Sequence, residues 1–238
     1  MAKSKEDRKF RKILVSIIIP VFNEEQTVGD IVTRTNKILE KLEITHEVLV
    51  VDDGSWDKSA DIAQAKNARV FREIHRGKGF ALRSGFRNAK GKIVVTLDAD
   101  GSHKPEEIPL ILQHLIEDRA DFVVGSRFSD PTNKTKIPKI NRIGNRLFNN
   151  LTRYLTGVNI SDSQSGYRAI RASLIKRMNL KSHGYEMESE MLIKALKMGA
   201  RVAEIPISFD QRTVGNSKLD PLRDGTRIFY AIIASYLF

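Results

Sequence analysis

Apolar β-branched runs and amphipathic stretches take turns along most of the chain, which predicts strands and helices in alternation. Strand-like runs cover Leu14–Ile19, Glu47–Val51, Arg69–Ile74, Ile93–Leu97, Asp121–Gly125 and Val202–Ile207. Between the first two, Val28, Ile31, Val32, Thr35, Ile38, Leu39 and Leu42 recur at the spacing of one helix face. A further helix is predicted from Pro105, with proline in the first turn, Glu106 and Glu107 suiting the dipole, and Ile108, Ile111, Leu112 and Leu115 on its apolar face. Others are expected around Ala81–Ala89, Arg142–Leu155, Met187–Met198 and Asp220–Phe238, and a short one near Lys58–Ala65. The pattern is that of an α/β domain, Rossmann-like, with a largely parallel central sheet flanked by helices. Phe128–Pro138, rich in Asp, Pro, Thr, Asn and Lys, reads as a mobile surface loop.

Residues 1–12 form a basic tail, 13–222 one catalytic-sized domain and 223–238 an apolar C-terminal helix. The tail followed by Ile13–Val21 imitates a secretory leader. However, Pro20 and the run into Asn23-Glu24-Glu25, with no small-residue cleavage site, favour a buried strand. No stretch approaches the roughly 20 apolar residues of a membrane span. The apolar end, Ile228 to Phe238, is open to three readings: it packs on the domain, lies on a membrane surface, or begins a longer segment.

With 238 residues, 41% hydrophobic and 29% charged, the chain has the balance of a soluble globular domain. It contains no cysteine, which excludes disulfides and thiolate metal sites. The net charge of +11 favours polyanionic partners, whether nucleic acid, anionic membrane or phosphate-bearing substrates, or serves solubility alone. No nucleic-acid reading motif accompanies it.

Chemistry gathers where strands end. Val51 runs into Asp52-Asp53-Gly54-Ser55, Leu97 into Asp98-Ala99-Asp100, Gly125 into Ser126-Arg127, and the first strand into Pro20-Val21-Phe22-Asn23-Glu24. Carboxyl ends of parallel strands are where open α/β sheets bind ligands. Asp98 and Asp100 can reach one point, where their repulsion is relieved by a hard divalent cation such as Mg²⁺ or Mn²⁺, with a diphosphate completing the shell. Ser102 offers a further oxygen, and His103 reads as a loop histidine. Either Asp53 accepts hydrogen bonds from a base or ribose, or it or Ser55 caps the helix near Lys58. The turn at Gly77-Lys78-Gly79 has neither Walker nor dinucleotide spacing, and reads equally as an anion-facing turn or a tight βα connection. Arg127, Arg212 and Lys218 are suited to phosphate contacts, or are solvated loop charges.

Several motifs coincide in order: Ser16 to Glu24 (SIIIPVFNE), Val50 to Ser55 (VVDDGS), Gly77-Lys-Gly79, Leu97 to Asp100 (LDAD), Gly125-Ser-Arg127, Ser165 to Arg168 (SGYR) and Arg212 with Gly215 to Leu219 (GNSKL). The set resembles family-2 glycosyltransferases of the GT-A fold, in particular the dolichol-phosphate mannose synthase and polyprenyl-phosphate hexosyltransferase group, from about Ile13 to Leu222. The resemblance implies that Pro20, Phe22, Glu24, Val51 and Asp53 hold the nucleoside, Phe22 standing where many relatives carry Tyr. It implies that Asp98, Ala99 and Asp100 handle diphosphate and metal, with Ser102 as a further metal ligand, and that Arg127, Arg212 and Lys218 contact phosphates. Asp98, Asp100 and Arg127 are the expected catalytic residues.

The activity so implied is inverting transfer of a hexose, mannose from GDP-mannose first, to polyprenyl (dolichyl) phosphate at the cytoplasmic face of a membrane. The chain would attach peripherally or through an anchoring partner. A phosphate acceptor is already a nucleophile, which agrees with the lack of a Glu-Asp pair in the Met187–Met198 helix. Glu190 there is given a structural or orienting role. The segment Asn141–Leu155, with Arg142, Arg146 and Arg153 beside Ile143, Leu147, Phe148, Leu151 and Leu155, is either a membrane contact or an ordinary packed helix. Rival readings are transfer from a UDP-sugar to the same lipid, a sugar-to-sugar transferase, and a basic nucleotide- or nucleic-acid-binding module.

Overall fold

The structure, a computed structural model, describes residues 14–212 and 218–238. The basic 1–12 tail and most of the Arg212-to-Lys218 loop lie outside the described residues. Strand β1 (Val15–Val21) is followed by helix α1 (Val28–Lys41), β2 (His46–Asp52), α2 (Ser59–Ala65), β3 (Arg69–Arg72), α3 (Lys78–Asn88) and β4 (Ile93–Thr96). A 3-10 turn at Pro105–Glu107 opens the helix expected there, α4 (Ile108–Ile116), and leads on to β5 (Phe122–Ser126). A second 3-10 turn, Pro131–Thr135, precedes α5 (Lys139–Thr156) and β6 (Arg168–Arg171). The order ends with α6 (Ala172–Arg177), α7 (Met187–Lys197), β7 (Val202–Pro206) and α8 (Arg223–Leu237).

The strands form one sheet in the order β3-β2-β1-β4-β6-β5-β7. All pairings are parallel except those of β6, which runs antiparallel between β4 and β5. Both faces are covered. Ile17 and Ile19 point toward α1 and α4, and Ile18 with Leu49 and Val51 toward α3 and α7, so the Ile17-Ile18-Ile19 run is wholly buried. Each such side chain contributes about 1.5–3 kcal/mol of burial.

Strand β6 escaped the sequence reading. Its segment, Arg168-Ala169-Ile170-Arg171, carries only two apolar residues between arginines, too few for a period. A central strand tolerates Arg168 because its guanidinium donates to three carbonyls: Ser165 at 2.7 Å, Ser163 at 2.7 Å and Glu188 at 2.5 Å. Burial lowers its pKa to about 10, which leaves it charged at neutral pH.

The expected mobile loop at Phe128–Pro138 is instead pinned. The buried Asn133 side chain donates to the carbonyls of Arg127 (2.8 Å) and Ile207 (2.7 Å) and accepts from the Phe209 amide (2.9 Å). A polar composition marked the segment as surface. It gave no sign that one amide ties the ends of β5 and β7 together. The apolar C-terminal segment packs on the domain, where Ile228 and Ile232 join Phe148 and Ile193 in a small core between α5, α7 and α8. Among the described residues no helix is long and apolar enough to cross a membrane.

At the rim where β5 and β7 begin, Asp121 accepts from the Arg201 amide and guanidinium (3.0 Å each) and from Arg171 (3.1 Å). Hydrogen bonds from Arg201 hold both Asp121 and Asp118 below the usual carboxylate range. A depressed carboxylate stabilises the fold above its unfolded pKa of about 3.9, and that contribution is lost as pH falls through the folded value. Thermal melts should therefore show Tm dropping between about pH 4 and pH 2. Asp121→Asn should lower Tm at pH 7 and flatten that acid limb. An unchanged limb would show that these pairs do not couple to folding.

Candidate active site

The carboxyl ends of β1, β2 and β4 open into a cleft of about 470 Å³. Pro20, Phe22, Glu24 and Asp53 line one end of it, and Asp98, Ala99 and Asp100 its floor. Arg212 and Lys218 reach it from the segment after β7. Val51, Ser102 and Arg127 do not line it. Val51 is wholly buried in the core facing α3 and α7, because strand alternation turns its side chain away from the rim.

At the β1–β2 end, Phe22 stacks on His75 with ring centroids 4.1 Å apart, and Trp56 meets its edge at 5.2 Å. The Lys218 ammonium lies 4.7 Å above the Phe22 ring. Glu24 pairs with Arg212 and, at 3.3 Å, with Lys218, so the two distant ends of the motif set meet. Asp53 accepts from the amides of Arg76 and Gly77, both at 2.8 Å, and thereby shapes the turn into α3. It does not cap α2, nor does Ser55: Asp57 accepts from the Ser59 amide at 2.9 Å there.

The Asp98-Ala99-Asp100 step is braced on every side. Ala99 offers its carbonyl to Thr27 Oγ1 at 2.6 Å. Asp100 Oδ1 accepts from the Ser102 amide (3.0 Å) and hydroxyl (2.6 Å), while Arg212 stands 3.8 Å from Oδ2. Ser102 thus sits buried beneath Asp100 and orients it. Asp98 Oδ1 lies 2.7 Å from Lys78 Nζ, which also reaches Glu188 Oε1 at 2.8 Å. Burial alone would raise the Asp98 carboxyl, but Lys78, with Arg127 behind it, outweighs that and holds the group below the usual range. Lys78 is likewise pushed down by burial and carried above its ordinary value by Asp98 and Glu188.

His103, expected in a loop, is 2% exposed, with Tyr167 and Phe209 against its ring. Its Nδ1 is 4.0 Å from Asp98 Oδ2, and burial lowers its pKa toward the neutral form. Neither ring nitrogen has a hydrogen-bond partner among the described residues.

Arg127, which does not line the cleft, faces the loop at Asp162. Its guanidinium grips Asp162 in a fork at 2.7 and 2.8 Å, and its amide adds a third bond at 3.0 Å. Glu204 fixes that loop by accepting from the amides of Ser161 (2.8 Å) and Asp162 (3.0 Å). In α7, Glu190 accepts from the amides of Lys181 (2.9 Å) and Ser182 (2.7 Å) and anchors the segment before the helix.

Sequence reasoning missed Glu188, Asp162 and the α8 residues Arg223, Asp224 and Arg227 that wall the cleft. It named Lys78 only inside a glycine turn. Nothing in the sequence distinguishes Glu188 from its neighbours Glu186 and Glu190. The Ser165-to-Arg168 motif is scaffolding. The Gly166 carbonyl accepts from Thr96 Oγ1 at 2.6 Å, and the Tyr167 hydroxyl donates to the Lys104 carbonyl at 3.0 Å.

Residues 16–178 match the family described as glycosyl transferase family 2. The chain belongs to that family. It is 33% identical to a polyprenol monophosphomannose synthase of Mycolicibacterium smegmatis, over 85% of this chain and 80% of that one. It is 30% identical to a UDP-N-acetylglucosamine–dolichyl-phosphate N-acetylglucosaminyltransferase of Methanococcus voltae, over 92% and 95%. The fold matches that of glucosyl-3-phosphoglycerate synthase from Mycobacterium tuberculosis, solved with Mn²⁺, UDP and phosphoglyceric acid. The TM-score is 0.78 at 20% identity, over 98% of this chain and 81% of that one. The protein is a glycosyltransferase with the GT-A fold.

A Cβ on Gly166 would stand 2.5 Å from Asp98 Oδ2 and 2.8 Å from Lys78 Nζ, so any side chain here must push the ends of both groups aside. Gly166→Ala should displace Asp98 and reduce transfer about 100-fold, the scale of an ångström-sized misplacement. Tm should change far less. Steady-state kinetics beside a thermal melt checks this, and wild-type turnover would refute it.

Proposed function

We propose that this glycosyltransferase moves a hexose, with inversion, from a nucleotide-diphospho-sugar to polyprenyl (dolichyl) phosphate, and that the first-choice donor is GDP-mannose. The observation that carries the acceptor reading is the Lys78–Glu188 pair. The carboxylate that α7 directs at the site is ion-paired and 4% exposed, so it is poorly disposed to take a proton from a sugar hydroxyl. A phosphate monoester needs no such base. Its oxygen attacks the anomeric carbon as the bond to the nucleoside diphosphate breaks, and the charge passes to the leaving group. The relatives from Mycolicibacterium smegmatis and Methanococcus voltae, whose names specify lipid phosphates, support the same class while differing in sugar.

Phe22 and His75 suit a base, and Glu24 and Asp53 a ribose. Arg212 and Lys218, with Arg223 and Arg227, supply positive charge for phosphates of donor and acceptor. Asp98 and Asp100 fit a divalent cation held by few protein oxygens, Mg²⁺ or Mn²⁺. Asp98 Oδ2 and Asp100 Oδ2 accept no hydrogen bond among the described residues, and Ser102 acts through Asp100. When bound, such a cation stabilises charge on the departing diphosphate. Arg127, held by Asp162, contributes to the field at Asp98 from outside the cleft.

Helix α5 turns Phe148 inward and leaves Ile140, Ile143 and Leu147 exposed, while α8 exposes Phe229 and Tyr230. With Arg142 and Arg146 on α5, this surface supports peripheral contact with the cytoplasmic face of an anionic membrane, alone or beside an anchoring partner.

The test is a panel of labelled sugar nucleotides with dolichyl phosphate and Mg²⁺ or Mn²⁺, scoring lipid-extractable label. GDP-mannose should label the lipid, and Asp98→Ala and Asp100→Ala should each lose about 100-fold or more with the fold intact. Label from a UDP-sugar and none from GDP-mannose would overturn the donor. Label on a free sugar and none on the lipid would overturn the acceptor.

A further inference from the structure

The Lys78–Glu188 pair does more than remove a base. Lys78 is the first residue of α3 and Glu188 lies in the first turn of α7. The two helix starts are pressed together: the Phe80 amide donates to the His183 carbonyl at 3.0 Å, and a Cβ on Gly79 would stand 2.8 Å from the Gly184 carbonyl oxygen. This packing fixes Lys78 between Asp98 and Glu188, against the bare backbone of Gly166. Among the described residues Glu188 Oε2 is buried with no hydrogen-bond partner, and Lys78 is the only cation within ion-pair distance of the carboxylate. A carboxylate buried this deeply persists only when paired.

Three basic groups near the Asp98–Asp100 step each meet a carboxylate outside it. Arg127 has Asp162, Arg212 has Glu24, and Lys78 has Glu188. At Asp98 the balance is local: Lys78 lies between Asp98 and Glu188, so Glu188 offsets the Lys78 charge and leaves the Asp98 charge to a divalent cation.

We propose that Glu188 is the counter-charge that prevents Lys78 from neutralising Asp98, and that Lys78 holds Asp98 Oδ1 to orient that carboxylate. Both are positioning residues: Lys78 sets the direction of the Asp98 carboxylate for transfer, and Glu188 keeps the cation site negative. The inference rests on the donor-site reading above. It also gives Lys78 two demands at once: a cation beside Asp98 fixes the carboxylate's direction, and without Glu188 the same cation would compete with the metal.

The test measures Mn²⁺ binding by loss of the free-ion electron paramagnetic resonance signal, with GDP or UDP present, for wild type, Glu188→Gln, Lys78→Gln and the double variant. Glu188→Gln should bind Mn²⁺ about tenfold more weakly, the scale of one unit charge in a half-buried site. Lys78→Gln should bind no more weakly than wild type, because it leaves an extra negative charge. The double variant, which restores the charge balance, should recover most of the affinity lost by Glu188→Gln while turnover stays low. A purely structural role predicts that affinity follows Tm in every variant, with no recovery in the double variant. Wild-type affinity in Glu188→Gln, or a folded double variant no better than that single variant, overturns the inference. Should Glu188→Gln fail to fold, Lys78→Gln decides alone: a tenfold loss of affinity overturns the inference, and unchanged or tighter binding supports it. Wild-type protein that takes up no Mn²⁺ with either nucleotide removes the donor-site reading and the inference together. Wild-type binding with an unaffected Glu188→Gln removes only the inference.

Discussion

Carboxylates collected at one edge of a sheet repel one another, and the cleft depends on how that repulsion is managed. Asp53 is delivered to the rim by β2, and Asp98 and Asp100 by β4 on the other side of β1, all within a partly desolvated space. Asp53 is satisfied by backbone amides of the turn before α3. Asp98 is held by Lys78, and Asp100 is braced by Ser102 with Arg212 nearby. The cations are balanced in turn from behind, by Glu188, Glu24 and Asp162. Low local dielectric makes each match strong and each omission costly, so these contacts fix geometry as well as charge.

That arrangement explains the unusual middle of the sheet. Strand β6 runs against its neighbours and brings Gly166 and Arg168 into the centre of the domain. Gly166 makes room for the Asp98–Lys78 contact, and Arg168 ties the carbonyls of Ser163, Ser165 and Glu188 to one guanidinium. The loop before β6 also carries Asp162, the partner of Arg127. A single reversed strand therefore supplies the back wall of the acidic floor and the anchor for α7.

The parallel strands and the long helices were legible because their burial pattern is periodic. Boundaries moved by a residue or two where the strand ends turn into the site: β3 stops at Arg72, before the chain crosses to Asp53 at His75. Strand β6 and helix α6 were not legible, since short segments with arginines at both ends carry no usable period. The reading of Phe128–Pro138 as a mobile loop failed on Asn133, and His103 does lie in a loop, although nothing local announces that Tyr167 and Phe209 pack on its ring. The site itself was half visible. Motif residues at strand ends reach the cleft, whereas Val51, Ser102 and Arg127 support it from the core, from beneath Asp100 and from the Asp162 loop.

By itself the sequence determined the α/β class, the rim at which chemistry gathers and the pair Asp98 and Asp100 at its centre, because periodicity and strand-end composition are local properties. Tertiary structure alone decided which charges meet. Lys78 and Glu188, Arg127 and Asp162, and Arg212 and Glu24 lie far apart in the chain, and no local pattern pairs them. Electrostatic matching at a few ångströms depends on where packed helices and strands set down their ends, and packing is a property of the whole fold.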